Sequence, residues 1–307
     1  MSTTAEPMPA DAAGELIITD ISAIPNEPPP ELLYRHKPRL LDAARNLKGR
    51  WEVIFTLAER DLRAAYKQAV LGIGWALINP VMTLLLFTIV FHKAFPTGTS
   101  KVPYYLFAYP AILAWGFFAG AVGSGTGSLL QNKAMMAKTH FPRECFPLSQ
   151  VVESAFTSTI ATSLLFIIFP VAHVWPKTAT LWFPVYLAIE LPYTIGLILL
   201  VSSIVVQMRD LNQLTSIGLQ LGMFASPVVW NLSYQKGSKF YIPHAWQPLY
   251  LFLNPIGETI DGIRRSMIYG FGPDWGLVGV AMAGALVWMV VGFAVFKRLE
   301  VNFADMA

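Results

Sequence analysis

Charge is what this sequence has least of. Asp, Glu, Lys and Arg make up 13% of its 307 residues, about half the share found in soluble domains. With 54% hydrophobic residues and a mean hydropathy of +0.50, that deficit excludes an ordinary soluble enzyme. Cys145 is the only cysteine, which excludes a disulfide framework and any multi-cysteine metal site. His36, His92, His140, His173 and His244 are scattered without ligand spacing, so no metal site is expected. No GxxxxGK[ST] run occurs, and the glycines sit inside apolar stretches. The chain therefore has no phosphate loop with which to hydrolyse ATP. The net charge is only +3, so no nucleic-acid partner is expected. Lys and Arg are missing from the first 34 residues, which hold six acidic residues and six prolines. A secretory signal needs a basic start and an apolar core, so residues 1–34 read instead as a disordered acidic, proline-rich tail.

What is present is a series of charge-free stretches. They lie near 70–91, 104–130, between Glu153 and Lys177, up to Arg209, from Leu211 to about Asn231, and between Asp274 and Lys297. A helix of about 20 apolar residues crosses a bilayer core, and backbone in lipid must bond to itself. The expected fold class is an all-α membrane protein with six transmembrane helices. An N-terminal amphipathic interfacial helix precedes them, and a re-entrant outer hairpin lies between spans five and six. The chain divides into the 1–34 tail, a basic juxtamembrane segment at 35–50, an amphipathic helix at 51–68, the membrane domain at 69–298 and a tail at 299–307. The 35–50 segment reads either as a patch for the anionic leaflet or as a solvated linker.

The entry to the membrane is the clearest feature. Trp51, Ile54, Phe55, Ala58, Leu62, Ala65 and Tyr66 recur at helical spacing, with Glu52, Glu59, Arg60, Arg63 and Lys67 mostly opposite. That is an interfacial helix. Gln68 to Phe91 then carries no charge over 24 residues. Lys and Arg counted near the spans favour the side of both termini by ten to seven, which places both termini in the cytoplasm.

Two charged places need a decision. Glu190 falls near the outer end of span four if about 20 residues are counted back from Arg209. There it would reach water, with Pro192 in the first turn; the alternative is a buried functional acid. Tyr241 to Gly270 contains three prolines and then Glu258, Asp261, Arg264 and Arg265. It is too short and too charged to cross twice, so it reads as a shallow hairpin in which Asp261 and Arg265 can pair at i,i+4.

The loop from Gln131 to Pro147 carries Ala134, Met135, Met136 and Ala137 between Lys133, Lys138 and Arg143. By itself it is equally a connector or a short helix with an adaptable apolar knob. Aromatics are abundant, with 20 Phe, 11 Tyr and 9 Trp. Interfacial belts account for many. Trp75, Phe87, Phe91, Tyr104, Tyr109 and Phe117 are candidates for a channel wall, with helix packing or lipid contact as the alternative for each.

The run from Arg60 through Asp61, Tyr66, Lys67, Leu71 and Gly72 to Trp75 and Asn79-Pro80 resembles the start of ABC-2 type permeases that export polysaccharides. The likeness continues in order through PYYLFAYPAILAWGFF at 103–118 and NKAMMAKTHFPRECFP at 132–147. Arg209-Asp210, Ser226-Pro227-Val228, Asn254-Pro255 and the tail FKRLEVNFADMA complete it. It covers residues 51–307.

The resemblance implies a transport subunit with no catalytic residues and no cofactor of its own. ATP and Mg would sit on a separate nucleotide-binding subunit, present in two copies beneath a homodimer of this chain. The substrate implied is a lipid-linked glycan crossing the cytoplasmic membrane. Lys133, Met135, Met136, Lys138, Phe141, Pro142 and Arg143 would belong to the helix that couples to the ATPase. Trp51, Phe55, Arg60, Asp61, Tyr66 and Lys67 would belong to an amphipathic gate helix at the pore mouth. The family often has one arginine in the re-entrant helix where this chain has Arg264 and Arg265. The alternatives are an ABC-2 exporter of a drug or lipid, and a polytopic membrane glycosyl or acyl transferase. A transferase would want clustered acids or histidines at one membrane face.

Overall fold

The computed structural model describes residues 49–67, 70–91, 102–136, 142–232 and 241–300, with no strand among them. The 1–34 tail, the 35–48 part of the basic segment and residues 301–307 lie outside the described residues.

The first helix, α1, runs Trp51–Lys67. Its inner side is Ile54, Leu57 and Ala58, all buried, while Trp51 and Phe55 remain 55% and 56% exposed. The apolar stripe read from the sequence is therefore split, and its aromatic edge faces away from the protein. Gly72 leads out of α1 with φ +50, a left-handed conformation that a Cβ resists. A short 3-10 turn at Gly72–Gly74 then enters α2, Trp75–Phe91.

Helix α3, Tyr104–Gln131, forms the centre of the molecule and buries most of its length. Two of its glycines set helix approaches. A Cβ on Gly120 would lie 2.8 Å from Ser154 Oγ, and one on Gly125 would collide with Ile198. After the four-residue helix α4, Lys133–Met136, come α5, Cys145–Thr162, and α6, Leu165–Val171. A 3-10 turn at Thr178–Trp182 leads into α7, Phe183–Gln207, followed by α8, Leu211–Ala225. Two short helices, α9 (Gln247–Leu253) and α10 (Ile256–Arg264), flank the Asn254-Pro255 break. A π turn, Arg265–Tyr269, closes that pair, and α11, Trp275–Leu299, ends the described chain. Helices α7 and α11 pack backbone to backbone. A Cβ on Gly196 would strike the Trp288 backbone, and one on Gly292 would strike Gly196.

Five helical segments are long and apolar enough to cross a membrane: Gly72–Val90, Tyr104–Gln131, Cys145–Val171, Thr178–Gln207 and Trp275–Leu299. The chain is thus a multi-pass membrane protein. The stretch expected as the fifth of six spans is α8, whose 15 residues reach only about 22 Å at 1.5 Å per residue. It stops because Ser226 precedes Pro227. Ser226 is extended, with ψ 154, as the residue before a proline is driven to be.

Two boundaries differ from the sequence reading. The third segment does not begin after Glu153. It begins at Cys145 and carries Glu153 inside α5. Glu190 is not at a watery helix end. Helix α7 starts at Phe183, with Pro184 in its first turn and Pro192 inside the helix. Glu190 is 1% exposed. A count of apolar residues cannot find a helix start that a proline near its N-terminus defines.

Candidate functional site

Helix α1 is tied to its neighbours by polar side chains on one face. Arg60 Nη2 donates to Asn132 Oδ1 at 2.8 Å, at the end of α3, and Arg60 Nη1 reaches Met135 Sδ at 3.2 Å on α4. Gln150 Nε2 of α5 donates to Asp61 Oδ2 at 2.8 Å. Tyr66 Oη lies 3.4 Å from Thr157 Oγ1 of the same helix. Spacing brings this about: residues 60, 61 and 66 lie within two turns of α1, so their side chains reach α3, α4 and successive turns of α5.

Beside Tyr66 a cavity of about 440 Å3 opens between α2, α3 and α5. Its aromatic wall is Tyr66, Trp75 and Trp115. Its polar wall is Asn79 and Thr83 from α2, Ser124 from α3, and Glu153, Ser154, Thr157 and Ser158 from α5. Most of the hydroxyls donate to backbone carbonyls: Thr83 to Asn79, Ser124 to Gly120, Ser154 to Phe117 and Thr157 to Glu153. Their lone pairs remain as acceptors toward the cavity. A second space of about 420 Å3 lies across Trp115, between α3, α7 and α8, with Phe118, Tyr193, Leu197 and Gly218 in its wall.

Of the aromatics proposed from sequence for a channel wall, Trp75 lines the first cavity. Phe87, Tyr104, Tyr109 and Phe117 do not. They are 2%, 2%, 0% and 6% exposed, packed in the core, and Tyr109 Oη donates to the Ala161 carbonyl at 2.7 Å. The Phe91 side chain lies outside the described residues. Sequence reasoning missed Trp115 and the polar face of α5. That face did leave a signal, since Glu153, Ser154, Thr157 and Ser158 recur at helical spacing.

The loop after α3 is partly as expected. Lys133, Met135 and Met136 lie in α4. Met135 and Met136 are not a free knob, because they pack against the core cluster that contains Ile54 and Leu57. Ala134 is the exposed apolar residue there. Lys138 and Phe141 lie outside the described residues. Pro142 and Arg143 lead into α5, which starts at Cys145, so the loop ends earlier than 147. Arg143 Nη1 donates to the Glu300 carbonyl at 2.7 Å. Lys297 Nζ sits 2.8 Å from both Glu144 and Glu300. Burial pushes the Glu144 carboxyl up, and Lys297 pulls it back. Of the remaining gate-helix candidates, Trp51 and Phe55 are exposed and Lys67 ends the helix.

At the other end of the bundle the two adjacent arginines do different things. Arg264 is 1% exposed and stacks on the Phe107 ring, 3.6 Å from its centroid. It donates to the carbonyls of Phe107, Trp230, Pro227 and Val228 at 3.0–3.3 Å. Arg265 pairs instead with Glu258 at 3.0 Å and Asp261 at 3.3 Å.

No metal-holding group of three or more His, Cys, Asp or Glu occurs among the described residues. A multi-pass helical chain with a polar cavity between its helices fits a membrane transport protein. The chain belongs to the ABC-2 type transporter family, whose model matches residues 52–268. It is similar to the O-antigen export system permease protein RfbA of Myxococcus xanthus, 25% identical over 253 residues, 82% of this chain and 94% of that protein. It is also similar to the RfbA of Klebsiella pneumoniae, 24% identical over 264 residues, 85% of this chain and 96% of that protein.

Proposed function

We propose that this chain is the permease subunit of an ABC transporter that exports a lipid-linked polysaccharide across the cytoplasmic membrane. Two copies form the pathway, and two separate ATPase subunits dock below and hold the ATP and Mg. The chain contributes a conduit and a linkage, without catalytic residues or a cofactor of its own. Relatives named as O-antigen export permeases support the substrate class.

The observation that carries this reading is the cavity lined by Tyr66, Trp75, Trp115 and the hydroxyl face of α5. Sugar C–H edges pack on aromatic faces while hydroxyls find polar groups. In this reading α8 is the fifth of six crossings, completed by the turn at 226–230. Helices α9 and α10 form the re-entrant outer hairpin, and both termini are cytoplasmic. Trp51 and Phe55, exposed on α1, rest in the headgroup layer. The loop around α4 receives the motion of the ATPase. Arg60 passes it to the gate helix, since it contacts both Asn132 and Met135.

The test is reconstitution of the chain with its ATPase and a lipid-linked glycan in proteoliposomes. ATP-dependent transfer of glycan to the far side is expected, with no ATP turnover by the chain alone. Transfer of a drug or a free lipid, but no glycan, would contradict the substrate class. Metal-dependent ATP turnover by the chain alone would contradict the division of labour.

A further inference from the structure

Two acidic side chains are left over by everything described above: Glu190 is enclosed by packing, and Glu153 faces a cavity. Glu153 lies within the segment Cys145–Val171, which is apolar enough to span. It is the single charged side chain among the described residues that line the 440 Å3 cavity. Its backbone carbonyl accepts from Thr157, but among the described residues no cation or donor reaches its carboxylate. The charge that bears on it is a like one, Asp61. Asp61 itself is satisfied, by Arg60 and by Gln150. An ionisable group inside an apolar span is expensive and is kept where it faces a partner or a pathway.

The rest of the wall points the same way. The hydroxyls of Thr83, Ser124, Ser154 and Thr157 donate to backbone carbonyls, so toward the cavity they accept. No lysine or arginine lies among the described lining residues. Those four hydroxyls therefore face the cavity as acceptors, and Glu153 is the acidic group beside them, with the Asn79 amide and the tryptophans as the neutral donors of the wall.

We propose that Glu153 is a specificity-determining residue that selects glycan segments rich in hydroxyl or amino donors and rejects segments carrying carboxylate or phosphate. This rests on the transport reading above. A carboxylate accepts two donors at once, so vicinal hydroxyls or a protonated sugar amine match it. An anionic sugar would meet a like charge in a partly desolvated site, where screening is weak.

The experiment uses the complete transporter in proteoliposomes. It compares two cargoes on the same lipid anchor, a neutral glycan and the same glycan with a uronate on every repeat. Wild type should move the neutral cargo faster by about tenfold, which corresponds to about 1.4 kcal/mol. Glu153→Gln, which keeps the shape and removes the charge, should bring the ratio near one. Glu153→Lys should invert it. ATP hydrolysis and assembly with the ATPase should stay unchanged in the Gln variant, which separates selectivity from folding. A ratio that is the same in wild type and both variants would overturn the assignment. Failure of wild type to move either cargo would instead remove the transport reading beneath it.

Discussion

Arg264 and Arg60 each hold elements of the fold together, at opposite ends of the bundle. Arg264 is 1% exposed and spends its guanidinium on backbone carbonyls, three of them in the turn after α8. That turn leaves helix geometry at Ser226, and its carbonyls have no intrahelical donor. Around them Tyr250 Oη donates to the Ala225 carbonyl, Asn254 Nδ2 to Ser226 Oγ and Trp230 Nε1 to the Phe224 carbonyl. Arg264 at the centre of this assembly is enclosed by protein. Arg60 is 42% exposed at its side chain and meets side chains, Asp61, Asn132 and Met135. Those bonds compete with water and exchange readily. The comparison teaches that the hairpin end is built to stay together. At the α1–α4 end the polar links are exposed, above a packed layer of Ile54, Leu57, Met135 and Met136.

The comparison breaks most readily at Arg264. Its removal leaves four carbonyls without their donor, and each buried polar group left unsatisfied costs about 1–3 kcal/mol. Arg264→Leu should lose most folded protein, and Arg264→Lys should not restore it, because an ammonium cannot fork to the carbonyls of Phe107, Pro227, Val228 and Trp230 at once. Thermal unfolding in detergent measures this. A Lys variant as stable as wild type would remove the carbonyl network from the account.

Next in size is the pH response of the hairpin. Burial pushes Glu258 up to about 8 from an ordinary 4.5, with Arg265 opposing. A carboxyl raised in the folded state favours folding while protonated, so its contribution is full below 4.5 and is lost as pH rises through about 8. Wild type should lose thermal stability across that window, and Glu258→Gln should flatten the dependence. The same slope in both proteins would show that another group titrates.

The smallest stability effect belongs to Arg60. An exposed pair contributes about 0.2–1 kcal/mol, so Arg60→Ala should melt close to wild type. Export should nonetheless fall while ATP hydrolysis by the assembled transporter continues. Normal export by this variant would show that α1 and α4 need no direct link.

The two ends were unequally legible in the sequence. The periodicity of α1 announced itself because its charges lie opposite its apolar residues. The exit of Arg264 into backbone carbonyls left no trace, because its partners are main-chain atoms of Pro227, Val228 and Trp230 that any residue could supply. Pro227 did carry a stop signal for α8, and a charge-free count ran past it. Glu153 and Glu190 misplaced two boundaries for one reason: a charge was taken to mark a membrane edge, whereas one lines a cavity and the other is enclosed by packing. The aromatics of α3 could not be sorted by pattern. That helix is apolar on all sides and buried along most of its length, so no face distinguishes a packed Phe117 from a cavity-lining Trp115.

The central claim is that cargo passes through the cavity between α2, α3 and α5, and blocking that cavity tests it most directly. Ser158 lies in its wall, on a helix whose packing against α3 depends on other residues, Ser154 among them. Ser158→Trp should fill the space, leave the ATPase bound and hydrolysing, and reduce glycan transfer to background, whereas transfer at the wild-type rate by a folded, assembled Ser158→Trp transporter would show that the cargo takes another route.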